Sequence, residues 1–372
     1  MVNTFRALCA FCIGAVALAG AASAKDLVYG SWVAAKHGVN VAGLEPMFKE
    51  IEKDTKGAVK WQLLSGGQVV SARSTLANIR DRVVDAGLVI PVFTQKELAA
   101  TNTIFDLQMA GTDEIAVTGA STEAVMLHCP GCLDEYKKHK VVFLAGYGVT
   151  PFRLMCASEI TKAAELQGKK VRATGGPSHL FAAMKAITVN IPPNEGVEAM
   201  QRGAVDCSHG PHAWLKSYGF LDVVKHVVDY SFGFPRALGM FVMNRDAWNA
   251  LTLDQKKIML KHLPGASARS TIVGYIGEDE EAKKEGLAKG IKFHKGGKDF
   301  DEVMAKYRIE ERKRVIDGSR TVGVKDPEKV ATAFEKVLPK WERLAKEINN
   351  DVDKFAAALR TEIYDKLDAA KM

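Results

Sequence analysis

Hydrophobic and polar positions follow two different periods along the first quarter of the chain. Apolar, strand-like runs bounded by turn residues occupy 27–33, 58–64 and 84–90. Between them, 41–56 and 72–82 place apolar residues three and four positions apart, which is the spacing of a helix. The order strand–helix–strand–helix–strand is typical of a parallel α/β sheet, so we predict such a sheet here.

A further strand–helix–strand unit is predicted within residues 148–176. Arg153 and Arg172 each lie in a short strand-like run, and a helical stretch at 160–167 separates them. Such a unit usually returns its second strand beside the first, which would bring the two arginines together. A guanidinium group donates a planar fork of hydrogen bonds that matches a carboxylate. The pair would then form a carboxylate clamp; the alternative is that both arginines form surface ion pairs.

The rest of the chain continues the alternation and then becomes mainly helical. The predicted elements are strands at 187–191, 204–206 and 236–244 and helical stretches at 254–290, 299–317 and 327–370. The sequence contains no internal repeat of solenoid length and no low-complexity linker. Any two domains would therefore be intertwined, with the chain crossing between them more than once.

Composition and charge describe an ordinary globular protein that is long enough for two domains. The 372 residues are 47% hydrophobic and 26% charged, and the net charge of +7 is spread thinly. Because no dense run of Lys and Arg is present, nucleic acid is disfavoured as a partner. The sequence also lacks a phosphate-binding G-x-x-x-x-G-K-[ST] motif and the G-x-S-x-G and H-E-x-x-H motifs of common hydrolases.

Residues 1–24 have the features of a secretory signal peptide. Arg6 supplies a positive charge before an apolar stretch at 8–18, and Ala-Ser-Ala at 22–24 forms a small-residue cleavage site. The apolar stretch is shorter than a membrane-spanning helix, and no later window of the sequence is apolar enough to cross a bilayer. We therefore expect an exported protein without stable membrane insertion.

Four cysteines remain after the predicted signal peptide: Cys129, Cys132, Cys156 and Cys207. An even number of cysteines in an exported protein is compatible with disulfides, although the sequence leaves their connectivity open. We favour the pairs Cys129–Cys132 and Cys156–Cys207, because the last two cysteines lie on predicted strands in the same half of the chain.

Two stretches could carry redox or metal chemistry instead. The C-x-x-C motif of Cys129 and Cys132 could be a reactive thiol pair, or could bind zinc together with His128 or His139. The stretch 206–212 places Asp, Cys and two His after a predicted strand, and these side chains could bind a metal. An exported thiol-redox or metal-dependent enzyme is therefore the alternative function. Because the second ligand pair of a typical zinc site is missing, we predict no metal.

An aromatic stretch follows, with Trp214, Tyr218, Phe232 and Phe234. Aromatic rings near a cleft can stack on a ligand, although in globular proteins such residues more often belong to the core. If they line a cleft, the ligand would be a ring-bearing or partly apolar acid. A dicarboxylate or a sugar acid is the alternative.

Six motifs, in this order and spacing, resemble the solute-binding proteins of TRAP transporters of the DctP type. They are G-G-Q at 66–68, D-A-G-L-V-I at 85–90, F-R-L-M at 152–155, G-K-K-V-R at 168–172, G-A-V-D at 203–206 and N-R-D-A-W-N-A-L-T-L-D-Q at 244–255. Each motif alone could occur in many unrelated proteins, whereas the order of all six is specific to the family. The resemblance covers nearly the whole chain after the predicted signal peptide.

The resemblance implies a two-lobed α/β fold of the periplasmic-binding-protein kind. Two mixed sheets flanked by helices would be joined by hinge strands and braced by long C-terminal helices. The first lobe would comprise 25–150 plus about 239–285, and the second 151–238 plus about 286–372 with the bracing helices. The implied function is the periplasmic solute-binding component of a TRAP secondary transporter, without enzymatic activity or cofactor. Its partners would be a small organic acid and the TRAP membrane subunits.

The resemblance also implies which residues bind the ligand. Arg172, in G-K-K-V-R, would pair with the ligand carboxylate, and Arg153 would be the second arginine. The family commonly has an asparagine shortly after G-A-V-D-G, which this sequence lacks, and Ser208 or His209 is expected to replace it. The expected contacts from the first lobe are Trp32, His37, Gln68 and Pro91. The aromatic stretch described above adds Trp214 and Phe232.

Overall fold

The computed structural model describes residues 25–372, apart from the side chain of Ala237. The signal peptide predicted at 1–24 lies outside the described residues. The strands are β1 (Lys25–Gly30), β2 (Val59–Leu64), β3 (Ala86–Gly87), β4 (Val141–Gly148), β5 (Arg153–Cys156), β6 (Lys170–Arg172), β7 (Ile187–Val189), β8 (Cys207–Gly210), β9 (His226–Val228), β10 (Arg236–Asn244) and β11 (Lys292–His294).

Helices make up most of the remaining structure. They are α1 (Glu45–Asp54), α2 (Thr75–Arg80), α3 (Ala99–Asp106), α4 (Glu114–Glu123), α5 (Pro130–Lys138), α6 (Gly176–Ala183), α7 (Gly196–Gln201), α8 (Trp214–Ser217), α9 (Arg245–Asn249), α10 (Leu253–Thr271), α11 (Glu278–Ala288), α12 (Lys298–Thr321), α13 (Pro327–Ile348) and α14 (Val352–Glu362). None of these described helices combines the length and the apolar character that crossing a bilayer would require.

Five strands form the first sheet, in the order β2-β1-β3-β10-β4. β1 is parallel to β2 and β3, which confirms the parallel arrangement predicted for the start of the chain. β10 enters this sheet from far along the sequence and is antiparallel to both β3 and β4. β4 is buried along its whole length, because α4, α5 and α10 pack against it. The sheet is therefore mixed and covered by helices, as the family resemblance implied.

Six strands form the second sheet, in the order β11-β9-β5-β8-β6-β7. β5 carries Arg153 and β6 carries Arg172, and β8 lies between these two strands. Arg153 is opposite Gly210 of β8, and Arg172 is opposite Ser208. The prediction that the two arginine strands are neighbours is therefore wrong. The prediction fails because β8 forms backbone hydrogen bonds with both arginine strands, running antiparallel to β5 and parallel to β6.

Two local predictions in this half of the chain are also wrong. The helix predicted at 160–167 is only a short 3₁₀ turn, Ala163–Leu166, and the Glu165 carboxylate fixes its start by accepting the N–H groups of Thr161 and Lys162. The strand predicted at 204–206 begins at Cys207 instead. The N–H groups of the first two residues of that segment donate to the Ala199 carbonyl. They close α7 with a turn and cannot join a sheet.

Two chain segments cross side by side between the sheets. One leads from β4 to β5, and the other leads from β9 to β10. Phe152 donates its N–H to the Gly233 carbonyl (3.1 Å), and Phe232 donates its N–H to the Phe152 carbonyl (2.9 Å). Position 233 requires glycine, because its φ is +118° and a side chain there would overlap Met109. These paired segments are the hinge strands between the two lobes.

The long C-terminal helices tie the lobes together. α13 packs against α3 and α4, α14 packs against α10, and α12 extends from α3 to α6 near the second sheet. Trp341 of α13 is buried over Gly119, and its indole N–H donates to Glu123 (2.6 Å). A Cβ at position 119 would overlap the ring, so a glycine allows this close helix packing. The lobe boundaries given by the resemblance stay a proposal.

A buried carboxyl group on α12 makes the stability of this fold depend on pH. Both oxygens of Glu311 accept the N–H of Met109 (3.1 and 3.0 Å). Burial raises the pKa of Glu311 to about 7, although Arg236 opposes the shift. In the unfolded chain a glutamate titrates near its ordinary pKa of about 4.3. Protonated Glu311 therefore stabilises the fold fully below that value, and this contribution is lost as the pH rises through about 7.

We expect Glu311→Gln, which is uncharged at every pH, to avoid this loss. Relative to the wild type, its free energy of unfolding should rise by on the order of 2 kcal/mol between pH 5 and pH 8. Urea unfolding at the two pH values measures the difference, with the exposed neighbour Glu310→Gln as the matched control. The prediction would be contradicted if the free energies of unfolding of the wild type and Glu311→Gln differed by the same amount at both pH values.

Candidate functional site

A cavity lies between the two sheets, beside the hinge strands. The non-atom space within it is about 510 Å³, a volume that includes open solvent at its mouth. Trp32 and Tyr147 line it from the side of the first sheet, and Arg172 and Trp214 line it from the side of the second. Five further aromatic side chains contribute to its walls: Phe93, Phe105, Phe152, Tyr218 and Tyr275.

Arg172 is one of two buried cations that line this cavity, the other being Arg236. Arg172 stands at the end of β6, where its Nε donates to the Ile191 carbonyl (2.8 Å) and its Nη1 donates to the His209 carbonyl (2.9 Å). Its guanidinium carbon lies 5.2 Å from the ring centre of Trp214. The residue is only 1% exposed, and burial lowers the pKa of its guanidinium to about 10. Arg172 therefore remains charged at neutral pH.

Within residues 25–372 no carboxylate lies close enough to form an ion pair with Arg172, and the charge of Glu195 opposes its pKa shift only from a greater distance. The ion pairs of the described chain include no partner of Arg172 within 4.0 Å, and the hydrogen bonds that it makes are to carbonyl groups. A buried charge without a counter-ion is costly, so such a group is normally paired or ligand-bound. The arrangement provides a preorganised fork of donors for an anion that enters the cavity.

The apolar walls of the cavity are held in place by local contacts. The Trp32 indole N–H donates to the Leu88 carbonyl (3.0 Å), and its ring meets Phe93 edge-on at 5.7 Å between centres. On the opposite side the rings of Phe152 and Trp214 are 5.0 Å apart. Gly210 permits this position of Trp214, because a Cβ at 210 would overlap the indole. The cavity thus places buried arginines beside rigid aromatic surfaces.

Three of the residues expected to bind a ligand line the cavity, namely Arg172, Trp214 and Trp32. Arg153 lies outside this lining. Its Nε contacts Asp229 at 2.9 Å, and its Nη1 donates to the Pro151 carbonyl (2.8 Å). Lys283 and His212 approach the same carboxylate at 2.7 and 3.3 Å. In this structure Arg153 is therefore part of an ion-pair network, and its role in ligand binding stays a prediction.

The other expected contacts lie away from the cavity lining. Ser208 and His209 are buried in β8, and neither the hydroxyl nor the two ring nitrogens has a hydrogen-bond partner among the described residues. The His209 ring packs between Phe152 and Phe181, at 4.8 and 5.1 Å between ring centres. Burial, with nearby Arg172, holds the pKa of His209 well below its usual range. Contacts between these side chains and a ligand also stay a prediction.

Three further expected contacts, Gln68, His37 and Phe232, also lie outside the cavity lining, each in a different environment. Gln68 is exposed on the loop after β2. Phe232 is fully buried and packs against Phe181 and Phe300 in the second lobe's core. His37 is buried behind the cavity wall, where its Nε2 contacts the hydroxyl of Tyr275 at 3.0 Å.

Sequence reasoning missed several polar groups of the cavity. Arg236 lies at the start of β10, where it donates to the carbonyls of Ala110 and Phe234 (2.6 and 3.3 Å). Gln108 lines the same region, and its side-chain oxygen has no partner among the described residues. An arginine at the head of an otherwise apolar strand was a usable signal for Arg236. The cavity tyrosines come from distant segments, and no spacing in the sequence connects them.

The cysteines form the two favoured pairs, Cys129–Cys132 and Cys156–Cys207. Cys129 and Cys132 are buried at the start of α5. Within residues 25–372, no group of three or more His, Cys, Asp or Glu is placed to hold a metal ion. In the stretch 206–212, Asp206 accepts the N–H of Lys170, whereas His212 contacts Asp229.

Three solved structures share this fold. A TRAP periplasmic solute-binding protein from Bordetella bronchiseptica, with bound (R)- and (S)-mandelate, is 21% identical, with 85% of this chain and 99% of that chain covered and a TM-score of 0.72. A TRAP solute-binding protein from Rhodoferax ferrireducens, in complex with copurified benzoate, is 18% identical, with 86% and 99% covered and a TM-score of 0.75. A marine metagenome TRAP solute-binding protein specific for aromatic acid ligands, in complex with 3-hydroxybenzoate, is 20% identical, with 86% and 99% covered and a TM-score of 0.76.

A family match decides the class of the protein. The solved structures share the two-lobed fold, and their low identities establish no more than that. The model of the DctP family, described as bacterial extracellular solute-binding protein, family 7, matches residues 30–310. This confirms the resemblance deduced from the six motifs and places the protein among solute-binding proteins rather than enzymes. The chain belongs to the DctP family of bacterial extracellular solute-binding proteins.

Proposed function

We propose that this protein is the periplasmic solute-binding component of a TRAP-type secondary transporter and that it captures a small organic acid by pairing its carboxylate with Arg172. The observation that carries the proposal is the buried Arg172 guanidinium, which lines the cavity and has no carboxylate partner within residues 25–372. A ligand carboxylate would supply the missing counter-ion. The bidentate pair would then be partly desolvated, where charge-assisted hydrogen bonds are strong.

The walls of the cavity support a ring-bearing acid as the ligand. Trp32, Phe93, Phe152 and Trp214 offer flat apolar surfaces on both sides, and aromatic rings pack favourably in stacked or edge-on pairs. The structurally similar proteins bind mandelate, benzoate and 3-hydroxybenzoate. A dicarboxylate or a sugar acid, as alternative ligand, would leave much of this apolar wall without a matching surface.

Arg153 is proposed to take part only if it changes partner. As the second arginine of a clamp it would have to exchange the carboxylate of Asp229 for that of the ligand. Asp229 would retain Lys283 and His212 as neighbours after such an exchange. Arg172 needs no such rearrangement, which is why the proposal rests on Arg172.

Ligand capture would be coupled to a hinge motion. Residues of both lobes line the cavity, so a ligand held by Arg172 in one lobe also contacts Trp32 and Tyr147 in the other. Such a ligand binds the closed arrangement better than an open one and shifts the population toward it by that difference in affinity. The closed, loaded protein would then deliver the acid to TRAP membrane subunits, after export by the predicted signal peptide.

A thermal-shift screen tests the ligand class. The purified protein is heated with benzoate, 3-hydroxybenzoate, mandelate, cyclohexanecarboxylate, succinate and gluconate. We expect the ring-bearing acids to raise the melting temperature, because a ligand at a hundredfold its dissociation constant adds about 2.7 kcal/mol of stability. Benzamide, which has the ring without the charge, is the matched control and should give no shift. Stabilisation by gluconate or succinate alone would contradict the proposed ligand class, and equal stabilisation by benzamide would contradict the carboxylate pairing.

A further inference from the structure

Two irregular helical turns from distant parts of the chain meet behind the cavity. Both are π-helical: one covers Val39–Leu44 and the other Ile272–Gly277. They approach so closely that a Cβ at Gly38 would overlap the backbone of Gly274, and a Cβ at Gly274 would crowd Gly38 in return. Single π turns within helices often occur at functional sites. Here the contact of two glycines brings the side chains of His37 and Tyr275 together.

The hydrogen bonds of His37 define which of its ring nitrogens carries the proton. Nδ1 accepts the N–H of Val39 (3.2 Å), so Nδ1 is unprotonated. The remaining nitrogen, Nε2, therefore carries hydrogen and donates it to the Tyr275 hydroxyl oxygen, 3.0 Å away. Burial lowers the pKa of His37 to about 3, which keeps the ring neutral. His37 is thus a fixed donor whose tautomer is set by a backbone group.

The Tyr275 hydroxyl is consequently oriented. Its oxygen accepts from His37, and its own hydrogen faces the side chain of Tyr147, another residue of the cavity lining, with which the Tyr275 hydroxyl interacts. Tyr275 lines the cavity, and its ring stacks on that of Tyr147, another lining residue, at 5.7 Å between centres. Tyr218, a third lining tyrosine, lies within 5.5 Å of both the His37 and the Trp214 rings. The hydroxyl therefore belongs to a polar group of the cavity wall, opposite the lobe that carries Arg172.

We infer that an acceptor oxygen of the acid bound in the cavity takes the place of Tyr147 as the acceptor for the Tyr275 hydroxyl, and that His37 is the positioning residue that directs this donor. The inference rests on the proposed function, and it gives the ligand a second polar contact besides Arg172. His37 was expected from the sequence to touch the ligand directly. It acts instead through Tyr275, one layer behind the cavity wall.

Calorimetric titration of benzoate and 3-hydroxybenzoate tests the inference. Tyr275→Phe removes the donor and keeps the ring, so we expect its dissociation constant to rise about tenfold or more. His37→Leu should weaken binding by a similar factor. Adding His37→Leu to Tyr275→Phe should then cause no further loss, because both changes remove the same hydrogen bond to the ligand. His37→Gln, whose amide can still donate to Tyr275, should recover most of the affinity.

The two acids distinguish which ligand oxygen accepts. If Tyr275→Phe loses affinity equally for both acids, the ligand carboxylate is the acceptor of the hydrogen bond. If it loses affinity for 3-hydroxybenzoate alone, the ring hydroxyl is the acceptor. Tyr364→Phe is the matched control, since it removes a buried tyrosine hydroxyl that donates to the Leu144 carbonyl (2.7 Å) outside the cavity lining. It should lower stability and leave both dissociation constants unchanged.

Several results would overturn the inference. Unchanged affinity of Tyr275→Phe for both acids, beside normal wild-type binding, would refute the Tyr275 contact and leave the proposed function intact. Fully additive losses in the double variant would refute the positioning role of His37. The ¹⁵N shifts of the His37 ring in the ligand-free protein give a test that needs no ligand and applies even if His37→Leu fails to fold: a proton on Nδ1 would refute the inference. Failure of the wild type to bind any ring-bearing acid of the screen would overturn both proposals together.

Discussion

Arg172→Met is expected to abolish ligand binding while leaving the protein folded. In the wild type, the ligand carboxylate would pair with a guanidinium that is 1% exposed and lacks another counter-ion among the described residues. Truncating one member of a buried charge pair costs about 2–5 kcal/mol, which is a loss of roughly 30-fold to several thousandfold in affinity. Titration of benzoate, or of the best acid of the screen, measures this loss.

The stability of ligand-free Arg172→Met separates loss of function from loss of fold. The substitution removes two hydrogen bonds to carbonyl groups but also removes a buried charge that has no counter-ion. These effects oppose each other, so we expect the melting temperature without ligand to change little and the ligand-induced shift to vanish. Arg172→Lys, which keeps the charge but not the planar fork, should bind with intermediate affinity.

A matched control for this variant is available in the same lobe. Arg202 is exposed and contacts only its helix neighbour Glu198 in the described chain. Arg202→Met should therefore bind the acid as the wild type does. Wild-type affinity in Arg172→Met would refute the arginine–carboxylate proposal, and an equal loss in Arg202→Met would show that the effect is one of net charge.

Removal of the Cys156–Cys207 disulfide is expected to have the largest effect on stability. The two cysteines are paired across β5 and β8 and are 51 residues apart in sequence. Closing a loop of this length restricts the unfolded chain and stabilises the fold by about 4 kcal/mol in the chain-entropy account. Cys156→Ala with Cys207→Ala should lower the free energy of unfolding by this amount, measured by urea unfolding under non-reducing conditions.

The second disulfide of the chain provides the matched control. Cys129 and Cys132 are separated by only three positions, so the same relation gives a stabilisation of about 1.5 kcal/mol. All four cysteines are buried, and the double alanine variants therefore remove similar amounts of packing. If removing either disulfide lowered the free energy of unfolding by the same amount, the loop-length argument would be contradicted.

The Cys156–Cys207 bond also supports the ligand site. It ties one end of β8 to β5, and the same strand presents the His209 carbonyl that holds Arg172. A variant without the bond should therefore bind the acid more weakly as well as unfold more easily. The Cys129–Cys132 variant should retain its affinity, because α5 contributes no residue to the cavity lining.

Local patterns in the sequence were sufficient for the class of fold and pointed to Arg172, the residue proposed to pair with the ligand carboxylate. Alternating strand and helix periods predicted the parallel strands β1, β2 and β3, and ordered motifs identified the family. Arg172 was singled out because G-K-K-V-R is a contiguous motif. The cysteine connectivity was left open by the sequence, and predicted strands favoured a pairing only for Cys156 with Cys207. Each of these features depends on residues that are close in sequence or on a short motif.

The composition of the cavity depends on long-range pairing, which leaves no local signal. β8 inserts between β5 and β6 and separates Arg153 from Arg172, so Arg153 joins an ion-pair network and the second arginine of the cavity lining is Arg236 of β10. Tyr147 and Tyr275 are brought together only when β4 and the turn after α10 pack side by side. His37 changes from an expected ligand contact to a group behind Tyr275 for the same reason. Side-chain neighbours across sheets and turns are set by the packing of the whole chain, and periodicity along the sequence does not encode them.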